Sequence, residues 1–102
     1  MEKLSTRFDA ETLLKVAEIL KTIAHPVRLS ILELLENKEK LTVSELMKGT
    51  GIEQSLLSHH LIKMKDKGVL KSEREGKNIF YTLADKHIVN IFDCMEGCSI
   101  IK

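Results

Sequence analysis

Residues 42–67 read TVSELMKGTGIEQSLLSHHLIKMKDK, and the architecture of the chain is most readily inferred from them. The first part, Thr42–Met47, is predicted to be a short helix, because Thr42 and Glu45 have the spacing of a capping box. Two residues that allow a tight turn follow, Gly49 and Gly51. A short helix, a turn of this kind and a second helix form the helix-turn-helix pattern.

The second helix of this pattern is predicted over Gln54–Lys67. Its apolar side chains recur at spacings of three and four and form one buried row, Leu57, Leu61 and Met64. Polar side chains then face outward near the helix start: Gln54, Ser55, Ser58 and His59. Because the second helix of a helix-turn-helix enters the major groove, we predict that these four reach base edges or phosphates. His60 lies beside the buried row, where it suits a hydrogen bond within the domain as well as a DNA contact.

A β-hairpin is predicted after Gly68, with strands over Val69–Arg74 and Asn78–Leu83. The turn between them contains Gly76, which adopts a positive φ without steric cost. The second strand alternates apolar and polar residues, which is typical of a half-buried edge strand. Basic side chains of the second helix and of the hairpin tip are predicted to contact DNA phosphates: Lys63, Lys65, Lys67, Arg74 and Lys77.

Positive charge is concentrated in this central part of the chain. The net charge of +1 gives the whole molecule no basic signature. Residues 54–82, however, carry six basic and three acidic side chains, and the rest of the chain has a small acidic excess. A basic stretch alone usually forms a solvated surface, but this one coincides with the helix-turn-helix and the hairpin. Together the three features favour double-stranded DNA as the partner.

Two helices are predicted before this region. Asp9 caps the first, Ala10–Ala24, whose apolar residues form a broad stripe: Leu13, Leu14, Val16, Ala17, Ile19, Leu20, Ile23 and Ala24. Because this stripe exceeds what one small core covers, part of it is expected to contact a second subunit. Pro26 opens the second helix, whose buried face consists of Val27, Ile31, Leu34 and Leu35.

A last helix is predicted after the hairpin, with Asp85 as its cap and Ile88, Ile91, Phe92 and Met95 as its apolar residues. The predicted fold is therefore mostly α, a winged helix-turn-helix of about five helices with a two-stranded wing. At 102 residues, of which 43% are hydrophobic and 30% charged, residues 1–102 are predicted to form a single domain.

Several classes of protein are disfavoured. No apolar run approaches the roughly 20 residues that span a bilayer, and the start, MEKLSTRF, lacks the apolar core of a secretory signal, so a cytoplasmic protein without a membrane partner is expected. An enzyme is not expected, because the sequence has no Gly-rich phosphate loop and no metal-hydrolase motif. A dimeric interaction module that binds no DNA is the alternative, but it has no use for the outward polar residues of the second helix.

The chain resembles the ArsR-type winged-helix repressors, which respond to metals or to thiol chemistry. The resemblance depends on IAHPVRLSIL at residues 23–32, on QSLLSHHL at residues 54–61, and on REGK at residues 74–77 leading to YTL at residues 81–83. It implies a homodimer joined through its first and last helices, which binds an imperfect palindromic operator and dissociates when an inducer binds. Two-fold symmetry would place the two recognition helices about one DNA turn apart.

The resemblance also implies an inducer site near the last helix. Asp85, His87 and Cys98 coincide with three of the four positions of a zinc-type intersubunit site of this family. The fourth falls at Ile101, which cannot ligate a metal, and Cys98 would shift the preference toward softer ions. In the alternative interpretation Asp85 is only a helix cap and His87 a surface histidine. The other metal site of the family, a cysteine cluster in the third helix, is absent because residues 42–50 contain no cysteine.

The two cysteines suggest a different kind of sensing. They are too few for a disulfide scaffold, and Cys94 and Cys98 are expected one turn apart on the same face of the last helix. They suit binding of a soft metal ion across the dimer or a redox pair, although an intrahelical disulfide would distort the helix end, which Gly97 eases. Among the hypotheses for the inducer site, thiol-based sensing by Cys94 and Cys98 ranks first and the zinc-like site ranks second. Two alternatives stay open: the cysteines are free thiols packed at the dimer seam, or the repressor is constitutive or regulated in another way. No cofactor is expected apart from a metal ion as inducer.

Overall fold

The structure is a computed structural model that describes residues 7–101. The expectation about a secretory signal depends on residues 1–8, most of which lie outside the described part. The elements are α1 (Ala10–Ile23), α2 (Pro26–Asn37), β1 (Leu41–Thr42), α3 (Val43–Thr50), α4 (Gln54–Asp66), β2 (Leu70–Glu75), β3 (Asn78–Leu83), a 3₁₀ turn (Lys86–Val89) and α5 (Asn90–Glu96). This order confirms the predicted winged helix-turn-helix.

The core lies between α2, α3, α4 and the sheet. Its fully buried side chains include all three residues predicted for the buried row of α4, together with Ile31, Leu32, Leu46 and Leu70. In α2 the prediction was partly wrong, because Leu32 is buried while Val27 and Leu34 are only half-buried at the edge of the core. Because the row Leu57, Leu61 and Met64 is buried, the polar face of α4 points away from the core.

The predicted caps of α1 and α3 are confirmed. An Asp9 carboxylate oxygen accepts from the Thr12 backbone N–H at 2.8 Å. At α3 the Thr42 hydroxyl accepts from the Glu45 backbone N–H at 3.1 Å, and the Glu45 carboxylate accepts from the Thr42 backbone N–H at 2.9 Å. These bonds satisfy backbone donors that have no partner within the helix.

The turn between α3 and α4 depends on Gly51 alone. Gly51 has φ 72°, and its N–H donates to the Met47 carbonyl at 2.9 Å, which ends α3 with a left-handed residue. The role assigned to Gly49 in this turn was wrong, because Gly49 lies inside α3. A Cβ at Gly49 would be 2.6 Å from Cδ1 of Leu34, so this glycine permits close packing of α3 on α2.

The wing has three strands, and two were predicted. The order is β1-β3-β2, with all pairs antiparallel, and β1 pairs Leu41 with Tyr81 and Thr42 with Phe80. The expectation that Asn78–Leu83 is an edge strand was therefore wrong, because a segment only two residues long pairs with its free side. The hairpin turn lies between Glu75 and Asn78, and Gly76 has the predicted positive φ, 64°.

The last predicted helix is interrupted and short. Asp85 caps a 3₁₀ turn rather than an α-helix, and α5 begins only at Asn90. α5 ends at Glu96, and the Cys98 N–H donates to the Met95 carbonyl at 3.0 Å in the turn that follows. The expectation that Cys94 and Cys98 share one face of a continuous helix was therefore wrong.

Candidate nucleic-acid interface

The outward face of α4 consists of the side chains predicted for it. Gln54, Ser55 and His59 are exposed, and Ser58 is half-buried at the edge of this face. The buried row on the opposite side of the helix fixes this orientation, because residues three and four apart share a face of an α-helix. The structure thus brings the four polar residues together on one surface.

Glu53 caps α4 and was not predicted. Its carboxylate accepts from the backbone N–H of Leu56 at 2.7 Å and from that of Ser55 at 3.2 Å. These bonds, the first one foremost, lower the pKa of Glu53 below its ordinary value of 4.5. The Ser55 hydroxyl also donates to this carboxylate. Glu53 therefore places a negative charge beside the predicted base-reading residues, and its position directly before the helix was the signal in the sequence.

Ile62 is a second residue of this face that the sequence prediction missed. It follows His59 by three positions and Ser58 by four, and 54% of its surface is exposed. Its spacing from these two residues indicates that it shares their face, but the sequence prediction assigned apolar residues of α4 only to the buried row. The face therefore combines hydrogen-bonding groups with one apolar side chain.

The basic residues predicted to contact phosphates lie on two elements. Lys63 and Lys65 are exposed on α4, Arg74 is exposed on β2, and Lys77 is exposed in the hairpin turn. None of these four forms an ion pair with another residue of 7–101. Lys67 differs, since its ammonium lies 3.5 Å from the carboxylate of Glu18 in α1. The ammonium and guanidinium groups of these four are therefore free of carboxylate partners within the described residues.

The wing tip is held by an ion pair from outside the hairpin. The Lys40 ammonium hydrogen-bonds to the Glu75 carboxylate, which raises the pKa of Lys40, and it lies 4.5 Å from the ring centroid of Phe80. The pair neutralises Glu75 beside the turn that carries Lys77. Because Glu75 is paired with Lys40, it offsets less of the positive charge of Arg74 and Lys77 than the sequence alone suggests.

His60 faces the interior, which settles the alternatives left open for it in the sequence. Only 5% of its surface is exposed, and its Nδ1 accepts a hydrogen bond from Nε of Arg28 at 3.0 Å. The ring of His25 lies 4.5 Å away, centroid to centroid. His60 is therefore part of the contact between α4 and α2 and does not belong to the outward face.

The residues of the zinc-like prediction are only partly brought together. An Asp85 carboxylate oxygen accepts from the His87 backbone N–H at 2.9 Å and lies 2.8 Å from the ring Nδ1 of His87. Asp85 is thus a cap, as the alternative interpretation held, with His87 beside it. Within residues 7–101 of one chain, no three metal-ligating side chains come together. Cys94 is exposed, Cys98 is half-buried, and both are free thiols.

An apolar groove lies between α1, α2 and α5. It has a volume of about 400 Å³ and is lined by residues that include Leu20 of α1, Leu29 of α2, and Ile91, Phe92 and Met95 of α5. Only Thr22 and Ile23 of α1 are buried, and Leu13 and Leu14 are 52% and 70% exposed.

No helix within residues 7–101 combines the length and apolar character needed to cross a membrane.

These features define a winged helix-turn-helix protein with a polar and basic face of the kind that contacts DNA. Residues 25–72 match the family model for the bacterial regulatory proteins of the arsR family. The chain is 36% identical over 89 residues to the HTH-type transcriptional regulator NmtR of Mycobacterium tuberculosis, which covers 87% of this chain and 73% of that protein. It is 40% identical over 80 residues to the transcriptional repressor PagR of Bacillus anthracis, covering 78% and 80%. The chain therefore belongs to the ArsR family, whose members are transcriptional regulators and not enzymes.

Solved structures agree with this assignment. The crystal structure of PagR superposes with a TM-score of 0.74 at 36% identity and covers 82% of this chain and 99% of that one. The solution structure of the homodimeric winged helix-turn-helix DNA-binding domain of Mb0332 from Mycobacterium bovis gives a TM-score of 0.75 at 29% identity, covering 94% and 87%. The resemblance inferred from the sequence is confirmed.

Proposed function

We propose that this protein is a homodimeric transcriptional repressor that binds a palindromic operator in the cytoplasm and is released by an inducer. The observation that carries the proposal is the outward face of α4, where Gln54, Ser55, Ser58 and His59 lie at the start of the reading helix of a winged helix-turn-helix. Gln can bond to adenine through two hydrogen bonds, and Ser and His reach base edges or phosphates.

The phosphate contacts are assigned to the four unpaired cations. Lys63 and Lys65 continue along α4 away from its start, and Arg74 and Lys77 lie on the wing. Each phosphate neutralised by such a side chain releases counterions, so the affinity falls as salt rises. Four cations per subunit make the expected salt dependence of a dimer steep.

The homodimer is supported by the exposed apolar surface of α1 and by the groove between α1, α2 and α5. Leu13, Leu14 and Leu20 of α1 are unusually exposed for leucines, and Met95 of α5 lines the same groove. Packing these surfaces against their copies would remove them from water. Two-fold symmetry then presents two reading helices to successive major grooves.

We assign the inducer site to the carboxyl end of α5. Cys94 and Cys98 are free and lie on either side of the end of that helix, which suits a soft metal ion or oxidation to a disulfide. The Asp85–His87 pair with Cys98 is the second candidate, and it would require ligands from both subunits. Either event would act by favouring one arrangement of the two reading helices, with a coupling of about 1 to 3 kcal/mol.

The test is a selection of duplexes from a random pool, followed by titrations of the selected duplex and of a scrambled duplex at several salt concentrations. The proposal expects a palindromic selected sequence, one dimer per duplex, and a binding constant whose logarithm falls linearly with the logarithm of the salt concentration. The proposal also expects the free protein to sediment as a dimer. A dimer that selects no sequence would identify the chain as an interaction module instead, and a monomer would contradict the proposed homodimer.

A further inference from the structure

We propose that Arg28 is a positioning residue for DNA reading: it joins the end of α1 to the reading helix α4, so that the orientation of α4 follows that of α1. This inference rests on the proposed function, because it assigns Arg28 a part in operator discrimination. Arg28 lies in α2 and is half-buried, and its guanidinium is held by hydrogen bonds within the fold.

The guanidinium of Arg28 contacts both helices at once. Its Nη1 donates to the Thr22 carbonyl at 2.9 Å, and its Nε donates to Nδ1 of His60 at 3.0 Å. Thr22 belongs to the last turn of α1, where carbonyls have no partner within the helix. Because the donors of a guanidinium are fixed in one plane, a change in the angle between α1 and α4 would break one of the two bonds.

His60 receives this contact on the back of the reading helix. It follows Ser58 and His59 directly, and it is buried next to Leu57 and Leu61 in the same helix. A shift of His60 therefore displaces the two residues before it, which face the groove. Since α1 presents its apolar face to the proposed partner subunit, a change in the dimer contact would reach the DNA surface through Arg28.

His60 accepts from Arg28 only as a neutral ring. The charged and titratable groups that face it are Arg28 and His25 from the α2 side and His59 from its own helix. Burial, followed by the charges of His25, Arg28 and His59, lowers the pKa of His60 below its ordinary value of 6.5. Protonation at Nδ1 would remove the acceptor and set a cation against the guanidinium.

The first arm of the test compares Arg28→Lys with wild type on the selected duplex and on a random duplex. Lys keeps the charge but lacks the planar pair of donors, so the ratio of operator to random affinity should fall about tenfold. The random affinity should change little. Arg7→Lys is the matched control, because Arg7 is exposed before α1 and the same replacement there should leave the ratio unchanged. Circular dichroism melts establish that each variant is folded.

The second arm measures the pH dependence of the same ratio, which loss of stability alone would not reproduce. It uses a His25→Asn background, which removes a neighbouring imidazole that lies off the reading face and keeps a cap acceptor at position 25. In this background the ratio should fall as the pH drops below 6.5, and the additional change His60→Gln should remove the part of that fall that His60 causes, since His59 is present in both proteins. Gln offers Arg28 an acceptor that does not titrate.

Two results would overturn the positioning role while leaving the proposed function intact. One is a folded Arg28→Lys variant that discriminates operator from random DNA as wild type does. The other, decisive if Arg28→Lys does not fold, is a pH profile of the ratio in the His25→Asn background that the further change His60→Gln leaves unaltered. Failure of wild type to prefer any duplex would instead contradict the proposed function itself.

Discussion

The Ser55 hydroxyl lies 3.1 Å from each carboxylate oxygen of Glu53 and donates to this carboxylate. An ionised carboxylate only accepts hydrogen bonds, so the proton of Ser55 is directed at Glu53 and its lone pairs face outward. Ser55 therefore offers the groove an acceptor, which suits the amino groups of adenine and cytosine. The same contact holds a negative charge at the surface that would approach DNA.

Replacing that charge is expected to strengthen DNA binding. Glu53→Gln keeps a cap acceptor for α4 but removes the repulsion from nearby phosphates, so affinity for operator and random duplexes should both rise, by about threefold at low salt. Fluorescence anisotropy of labelled duplexes measures both. Glu36→Gln, at an exposed position of α2 outside this surface, is the control. Unchanged or weaker binding by Glu53→Gln to the random duplex would show that Glu53 does not approach the phosphates.

Ile62 is expected to contact a thymine methyl group. An apolar side chain at the middle of the reading face suits that methyl, so Ile62→Ala should lose about fivefold in operator affinity and little on random DNA. Replacing one thymine of each half-site with deoxyuridine should reproduce the loss in wild type and add nothing in the variant. Leu56→Ala is the control, because Leu56 is also apolar and exposed on α4 but points about 120° away from Ile62 around the helix axis. Equal sensitivity of both variants to every deoxyuridine would rule out the contact.

The turn of the helix-turn-helix should be sensitive at Gly51. Ala at φ 72° is strained, so Gly51→Ala should lower the free energy of unfolding by about 1 kcal/mol, as measured by urea denaturation. Gly97→Ala is the comparison, because Gly97 has φ −85° and an added Cβ there would meet no atom closer than 3.8 Å. The account is wrong at this turn if the two variants lose the same stability.

The cysteines should decide how the repressor is released. Operator affinity of wild type is expected to fall when zinc, cadmium or peroxide is added, and Cys94→Ala/Cys98→Ala should lose the response to cadmium and peroxide. A remaining response to zinc would show that the zinc site does not need Cys98 and would contradict the site formed by Asp85, His87 and Cys98. Titration under reductant serves as the baseline for both proteins. Identical behaviour of the two proteins under every treatment would make the cysteines structural.

Periodicity and caps predicted most of this fold, because they depend on neighbours in the sequence. The buried row of α4, the capping box at Thr42 and the hairpin turn at Gly76 are local features of this kind. β1 was missed because two residues carry no periodic signal and form a strand only by pairing with Tyr81 and Phe80. The interruption before α5 was missed because the apolar residues keep helical spacing across it: Ile88, Ile91, Phe92 and Met95.

The candidate interface was predicted less completely than the fold. Outward polar residues of α4 follow from helical spacing, and the structure places all four on one face. The Arg28–His60 contact spans 32 positions of sequence, and no spacing rule predicts a pair so distant. The ion pair of Lys40 with Glu75 spans 35 positions and stayed hidden for the same reason.

The most direct measurement is the ratio of operator to random affinity for His59→Ala and for Lys77→Ala, each compared with wild type. If the outward start of α4 reads bases and the wing holds phosphates, His59→Ala lowers the ratio, while Lys77→Ala weakens both affinities alike and reduces the salt slope of the dimer by about two, one for each subunit. Equal losses on both duplexes for both variants would contradict base reading by α4.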